Sequence, residues 1–172
     1  IALAYATPDN VTGKAIYARA EPQLHPDAAA ALKRAVALAA PLGLRFRIFD
    51  AFRPMEAQWR LWEVFPDPEF VADPRVGSNH SRGVAVDLTL VDATSGIALD
   101  MGTPFDDFTA LSHHGRCDLP AEAQRNRAVL LGLMTAAGWD WNRSEWWHYQ
   151  LFDPKRYPLL ADAAAPRPLM AA

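Results

Sequence analysis

The amino-acid sequence predicts an α+β fold, a small and mostly antiparallel sheet flanked by helices. Two runs alternate with a period of two, Leu44 to Phe49 and Val84 to Leu90, and read as strands. Three stretches beginning near Pro26, Pro54 and Pro120 carry helical patterns. The connections between them are irregular and rich in Pro and Gly, which suits an antiparallel layer better than regular parallel units. With 172 residues and 51% hydrophobic content, the chain is long enough for one domain with a substantial core. We place that domain at residues 1–160. The Pro- and Ala-rich tail at 161–172 is expected to fray.

In chain order, residues 1–24 read as extended and looped, with turn chemistry at Pro8-Asp9-Asn10 and Thr12-Gly13. A helix is expected from Pro26 to about Ala40, with Leu32, Val36, Ala39 and Ala40 as its apolar stripe. Pro41 and Gly43 stop it. A strand over 44–49 puts Leu44, Phe46 and Ile48 on one face. It runs into Asp50-Ala51-Phe52-Arg53-Pro54. A second helix follows to about Val64, with Met55, Trp59 and Trp62 as its expected inner face. The Pro-rich stretch 66–77 reads as a loop able to cover a cleft. The next strand runs from about Gly83 to Val91. A third helix is expected from Pro120 to about Ala137, with Asp118 as a cap and Gly138 as its stop. Trp146 to Leu151 reads as a last short strand.

Net charge is −3, so nucleic acid is not an expected partner. No apolar run is long enough to span a membrane. Cys117 is the only cysteine, which rules out an intrachain disulfide and fits a reducing compartment. The cytoplasm is the favoured location and the periplasm the second. Oligomeric state is not legible.

The chemistry centres on Ser78-Asn79-His80-Ser81-Arg82-Gly83-Val84-Ala85-Val86-Asp87. A glycine turn delivers His80. The strand puts Val84, Val86, Leu88 and Leu90 on one face and Ala85, Asp87 and Thr89 on the other. One imidazole and one carboxylate make two metal ligands, although such a pair alone is more often structural. Glu145-x-x-His148 supplies a third. On a helix the two would share a face; on a strand Glu145 must sit in the turn leading in. The turn chemistry of Asn142-Arg143-Ser144 favours the second arrangement. Two imidazoles and one carboxylate leave a zinc ion with an open position, where a water has its pKa lowered to about 7. Glu145 beside it is placed to move that proton. The plainer alternative makes Glu145 a surface cap and His148 a satisfied core histidine.

These motifs resemble those of the D-alanyl-D-alanine dipeptidases, zinc peptidases in a wider group with zinc D,D-carboxypeptidases and the hedgehog signalling domain. The resemblance extends to Tyr5-Ala6-Thr7-Pro8-Asp9-Asn10-Val11-Thr12-Gly13, Phe52-Arg53-Pro54, Asp100-Met101-Gly102-Thr103-x-Phe105-Asp106 and Ser112-His113-His114. It implies one zinc per chain on His80, Asp87 and His148, with Glu145 as catalytic base. It also implies that Arg53 holds the oxyanion, and that Asp106 with Tyr5 meets the ammonium and Ser78 the carboxylate of a small dipeptide substrate. The implied reaction is hydrolysis of D-alanyl-D-alanine to two D-alanines, in peptidoglycan precursor turnover or glycopeptide resistance. The second reading is a D,D- or L,D-carboxypeptidase on stem peptides, and the third a zinc-keeping binding domain. Taken alone, Arg53 reads more readily as an ion-pair partner of Asp50 or Glu56, while loop-turn chemistry for Asp106 and plain packing for Tyr5 are fair rivals. His113 and His114, being adjacent, are not expected to serve one site together. Two departures stand out: Val11 where the family often has Phe, and a shorter segment between Pro54 and Ser78.

Overall fold

The structure, a computed structural model, describes residues 1–171. Three helices and four strands follow one another as α1 (Pro26–Ala39), β1 (Leu44–Asp50), α2 (Met55–Val64), β2 (Ala85–Asp92), α3 (Ala121–Ala136), β3 (Trp139–Trp141) and β4 (His148–Leu151). The strands form one sheet in the order β1-β2-β4-β3, antiparallel at every pairing. The α+β expectation holds. No helix among the described residues is long and apolar enough to cross a membrane.

β2 is central and buried along both faces from Ala85 to Val91. Its chemical alternation survives that burial. Val86, Leu88 and Leu90 join the core under α1 and α3, while Asp87 faces a cleft on the opposite side. The pairing register sets the site. Asp87 stands directly opposite His148 on β4, and on its other flank opposite Asp50 of β1. A bulge between Ile48 and Asp50 makes the second pairing possible. The extra residue, Phe49, shifts the alternation by one, so that Asp50 faces the same way as Asp87.

Both N-terminal helices are rotated from the expected orientation. α1 buries Ala28, Ala31, Ala35 and Ala39, whereas Val36 is 50% exposed and Leu32 only partly buried. A face without side chains beyond Cβ lets α1 lie close against its neighbours. α2 buries Ala57, Gln58 and Leu61, and Trp59 is 42% exposed. Of its two expected aromatics, only Trp62 packs against the core, and Trp59 does not mark the inner face. α3 begins behind Pro120 without a side-chain cap; Asp118 instead pairs with Arg116. Gly138 ends the helix region at φ 93°, as its position in the sequence implies.

A second core lies on the cleft side, built from Leu3, Tyr5, Tyr17, Phe52, Leu61 and Leu169. Leu169 belongs to the stretch expected to fray. Its side chain is 1% exposed, and its carbonyl accepts from the Ala18 N–H at 2.7 Å. The Asp162 carboxylate accepts from the Leu169 and Met170 N–H groups at 2.6 and 3.1 Å. One buried leucine and a local carboxylate acceptor hold a segment whose composition reads as loose. Position 172, the last of that segment, lies outside the described residues.

Candidate metal centre and cleft

Ligand atoms from His80, Asp87 and His148 lie within 4.8 Å of one another, and all three residues are buried. His80 arrives on a single 3-10 turn, His80–Arg82, closed by Gly83 at φ 68°. A side chain at Gly83 would press on the His25 backbone N at 3.2 Å, so both conformation and space call for glycine. His80 Nδ1 lies 2.7 Å from the Ala51 carbonyl oxygen, an acceptor only. A proton therefore sits on Nδ1, which turns Nε2 towards His148 and Asp87.

Three short separations define the cluster. His80 Nε2 lies 3.1 Å from His148 Nδ1 and 3.3 Å from Asp87 Oδ2, and His148 Nδ1 lies 3.0 Å from Asp87 Oδ1. Two facing imidazole nitrogens and a carboxylate at these spacings fit a cation better than they fit each other. Tetrahedral ligands at zinc-like bond lengths would stand about 3.3 Å apart. The donor set of two nitrogens and one carboxylate thus suits a divalent metal. Burial pushes the Asp87 carboxyl up, but His80 and His148 pull harder and hold it well below the usual carboxylate range.

The cleft around this cluster is a cavity of about 340 Å³. Glu145 sits in the turn before β4, as the turn chemistry predicts, and is 6% exposed. Asn142 Nδ2 donates to its Oε2 at 2.8 Å, and the same oxygen lies 3.8 Å from His148 Nδ1. Burial pushes the Glu145 carboxyl up to about 7 against the opposing pull of His148. Arg53 is 7% exposed; its Nε donates to Asp50 Oδ2 at 2.8 Å, and Nη2 lies 3.7 Å from Asp87 Oδ2. The Arg53–Asp50 ion pair anticipated as an alternative is present, and the same guanidinium also lines the cleft. The ion pair and the cleft position coexist because the bulge turns Asp50 the same way as Asp87.

Beyond Arg53 the cleft holds Tyr5 and Asp106. The Tyr5 hydroxyl donates to Asp106 Oδ2 at 3.0 Å, and the Arg53 guanidinium stands over the Tyr5 ring at 4.9 Å. Ser78 also lines the cleft, and its Oγ accepts from the His80 N–H at 3.2 Å. Trp147 forms part of the wall. His113 points instead towards Glu69 at 3.6 Å, and His114 packs on Trp141 and Tyr149. Asp50, Tyr17, Asn142 and Gln58 were not legible as site residues. Asp50-x-x-Arg53 was the one available signal, a carboxylate and a guanidinium three apart at a strand end.

Asp106 is costly where it stands. Burial, with Asp87 adding repulsion, pushes its carboxyl up to about 8, although Arg53 and Tyr5 pull it down. Its backbone is left-handed at φ 58°, a region that Asn also tolerates. The folded pKa lies above the unfolded one, so the stability from the neutral form is complete below about pH 4 and lost as pH rises through about 8. Asp106→Asn should therefore stabilise the metal-free protein by on the order of 1–2 kcal/mol near pH 8, with no gain near pH 3. Thermal melts in chelator across that range check this; equal melting temperatures at pH 8 would contradict it.

The D-ala-D-ala dipeptidase model of peptidase family M15 matches residues 1–164. A D-alanyl-D-alanine dipeptidase of Escherichia coli K12 is 50% identical, covering 94% of this chain and 83% of that protein. The D-alanyl-D-alanine dipeptidase of Streptomyces coelicolor is 34% identical over 86% of this chain and 83% of its own length. That of Enterococcus faecalis V583 is 32% identical over 90% and 86%.

Proposed function

Since this chain belongs to the D-ala-D-ala dipeptidase family of peptidases, M15, we propose that it hydrolyses D-alanyl-D-alanine to two D-alanines with one bound zinc ion. The observation that carries the reading is a single cleft holding three converging ligand atoms, a buried carboxylate, a buried guanidinium and a separate acid–phenol pair.

His80, Asp87 and His148 hold the zinc, which supplies a Lewis acid for activating water and polarising a carbonyl. Glu145 is the base. Asn142 engages its Oε2, so Oε1 is left to take a proton from the attacking water and return it to the leaving amine. Arg53 aims its free N–H groups at the oxygen where negative charge develops. Asp50 keeps that guanidinium oriented, and burial does not discharge an arginine.

Asp106 and Tyr5 receive the substrate ammonium, and Ser78 donates to the terminal carboxylate. Tyr5 is a neutral phenol, since burial first and Asp106 second raise its pKa well above the ordinary value. The ammonium supplies the positive countercharge that lets the buried Asp106 ionise against burial and the Asp87 charge. A substrate acylated on that nitrogen would leave Asp106 unpaired and is rejected. This favours the free dipeptide over the stem peptides of a carboxypeptidase. We place the reaction in turnover of peptidoglycan precursors or in glycopeptide resistance.

The test is release of D-alanine from D-Ala-D-Ala and from N-acetyl-D-Ala-D-Ala, with zinc-loaded and with chelated protein. Zinc-dependent hydrolysis of the free dipeptide alone is the expected result. Equal turnover of both substrates would replace this reading with a carboxypeptidase. Turnover unaffected by chelation would remove the metal from it.

A further inference from the structure

Gln58 is the one fully buried uncharged polar side chain on the inner face of α2, between Ala57 and Leu61. Both ends of its amide are engaged. Oε1 accepts from Arg53 Nη1 at 3.0 Å, and Nε2 donates to the Ala72 carbonyl at 2.7 Å. Ala72 belongs to the 66–77 segment, which lines one side of the cleft. Phe70 of that segment packs on Phe108, another residue of the cleft lining, at 5.1 Å and on His113 at 6.5 Å.

The guanidinium of Arg53 is thus fixed from two directions. Asp50 takes the Nε edge and is itself held by the Tyr17 hydroxyl at 2.9 Å. Gln58 takes Nη1. With one acceptor alone, the planar group could pivot about the Asp50 contact; with two, its plane is set. Nη2 is left beside Asp87 Oδ2 at 3.7 Å, on a guanidinium that lines the cleft. The second acceptor is anchored only through Ala72, so the seating of the 66–77 segment and the aim of Arg53 are mechanically linked.

We propose that Gln58 is a positioning residue, which orients Arg53 for the tetrahedral oxyanion and ties that orientation to the segment over the cleft. This rests on the oxyanion role of Arg53 in the proposed hydrolysis. A group that acts only through Arg53 affects the transition state more than the bound substrate, so its loss appears in kcat and spares KM.

Two variants of the zinc-loaded protein separate its two bonds. Gln58→Met keeps length and volume but removes both. Gln58→Glu keeps the acceptor for Arg53 and loses the donor to Ala72. Steady-state kinetics on D-Ala-D-Ala are paired with inhibition by a phosphinate dipeptide analogue, which presents a tetrahedral oxyanion. Gln58→Met is expected to lower kcat about tenfold with KM little changed, and to weaken the phosphinate by the same factor as kcat/KM. Gln58→Glu is expected to restore most of kcat while amide exchange in 66–77 quickens.

Wild-type kcat and phosphinate affinity in a folded Gln58→Met protein would overturn the proposal, as would a loss that falls on KM. If Gln58→Met does not fold, Gln58→Glu decides: kcat near the wild-type value supports the proposal, and a collapse of kcat overturns it. A wild-type protein that is inert on the dipeptide would overturn the functional reading itself, and this proposal with it.

Discussion

Glu145→Gln is expected to lower kcat on D-Ala-D-Ala by about 10³-fold while zinc content and fold stay as in the wild type. The substitution is isosteric, and its amide oxygen can still accept from Asn142 Nδ2, so the turn before β4 keeps its support. None of the three ligand side chains is altered. What disappears is a buried carboxylate that lies 3.8 Å from His148 Nδ1. An amide at that position cannot accept the proton of the attacking water. KM should move little, because the ammonium and carboxylate contacts are assigned to other residues. Metal analysis and steady-state kinetics on the same preparation test both halves. A zinc-loaded variant with near wild-type turnover would sink Glu145 as the base.

His148→Ala should remove both metal and activity. His148 Nδ1 is the shared vertex of the cluster, 3.0 Å from Asp87 Oδ1 and 3.1 Å from His80 Nε2. Without it, one imidazole and one carboxylate remain, too few to retain zinc against a competing chelator. The fold should survive more weakly, since the substitution empties a buried position on β4 at a cost of about 2–4 kcal/mol. The measured quantities are zinc per chain after dialysis and D-alanine release, with activity expected at background. Full zinc occupancy would exclude His148 from the ligand set.

The outcome for Gln58 shows where sequence reading stopped. Asp87 was legible because a carboxylate interrupts an otherwise apolar strand, and His148 because the turn residues before it implied where a strand would begin. Orienting α2 by its largest apolar side chains turned Trp59 inward and Gln58 out of view. In the fold, the first turn of α2 serves Arg53, and the inner face is small and polar there. The same reliance on size misread α1, whose buried stripe is alanine. β3 escaped notice because three residues are too few to display a period. The bulge at Phe49 exists only relative to the register of β2, so no local pattern in 44–50 announces it. The place of Asp50 beside Asp87 is set by pairing between distant segments, and that is the information a single strand or helix pattern lacks.

The row Asp50–Asp87–His148 across three adjacent strands also dictates an order of assembly. Asp50, His80 and Asp87 come together once β1 and β2 pair, within a contiguous stretch of the chain. His148 joins when β4 closes on β2, a contact 61 residues away along the chain. Closing so long a loop is an entropic cost met late in folding. The metal pocket is therefore complete only in chains whose central sheet has already formed. A metal ion would meet all three ligands only in finished molecules. Held there, it would tie β4 to the centre of the sheet.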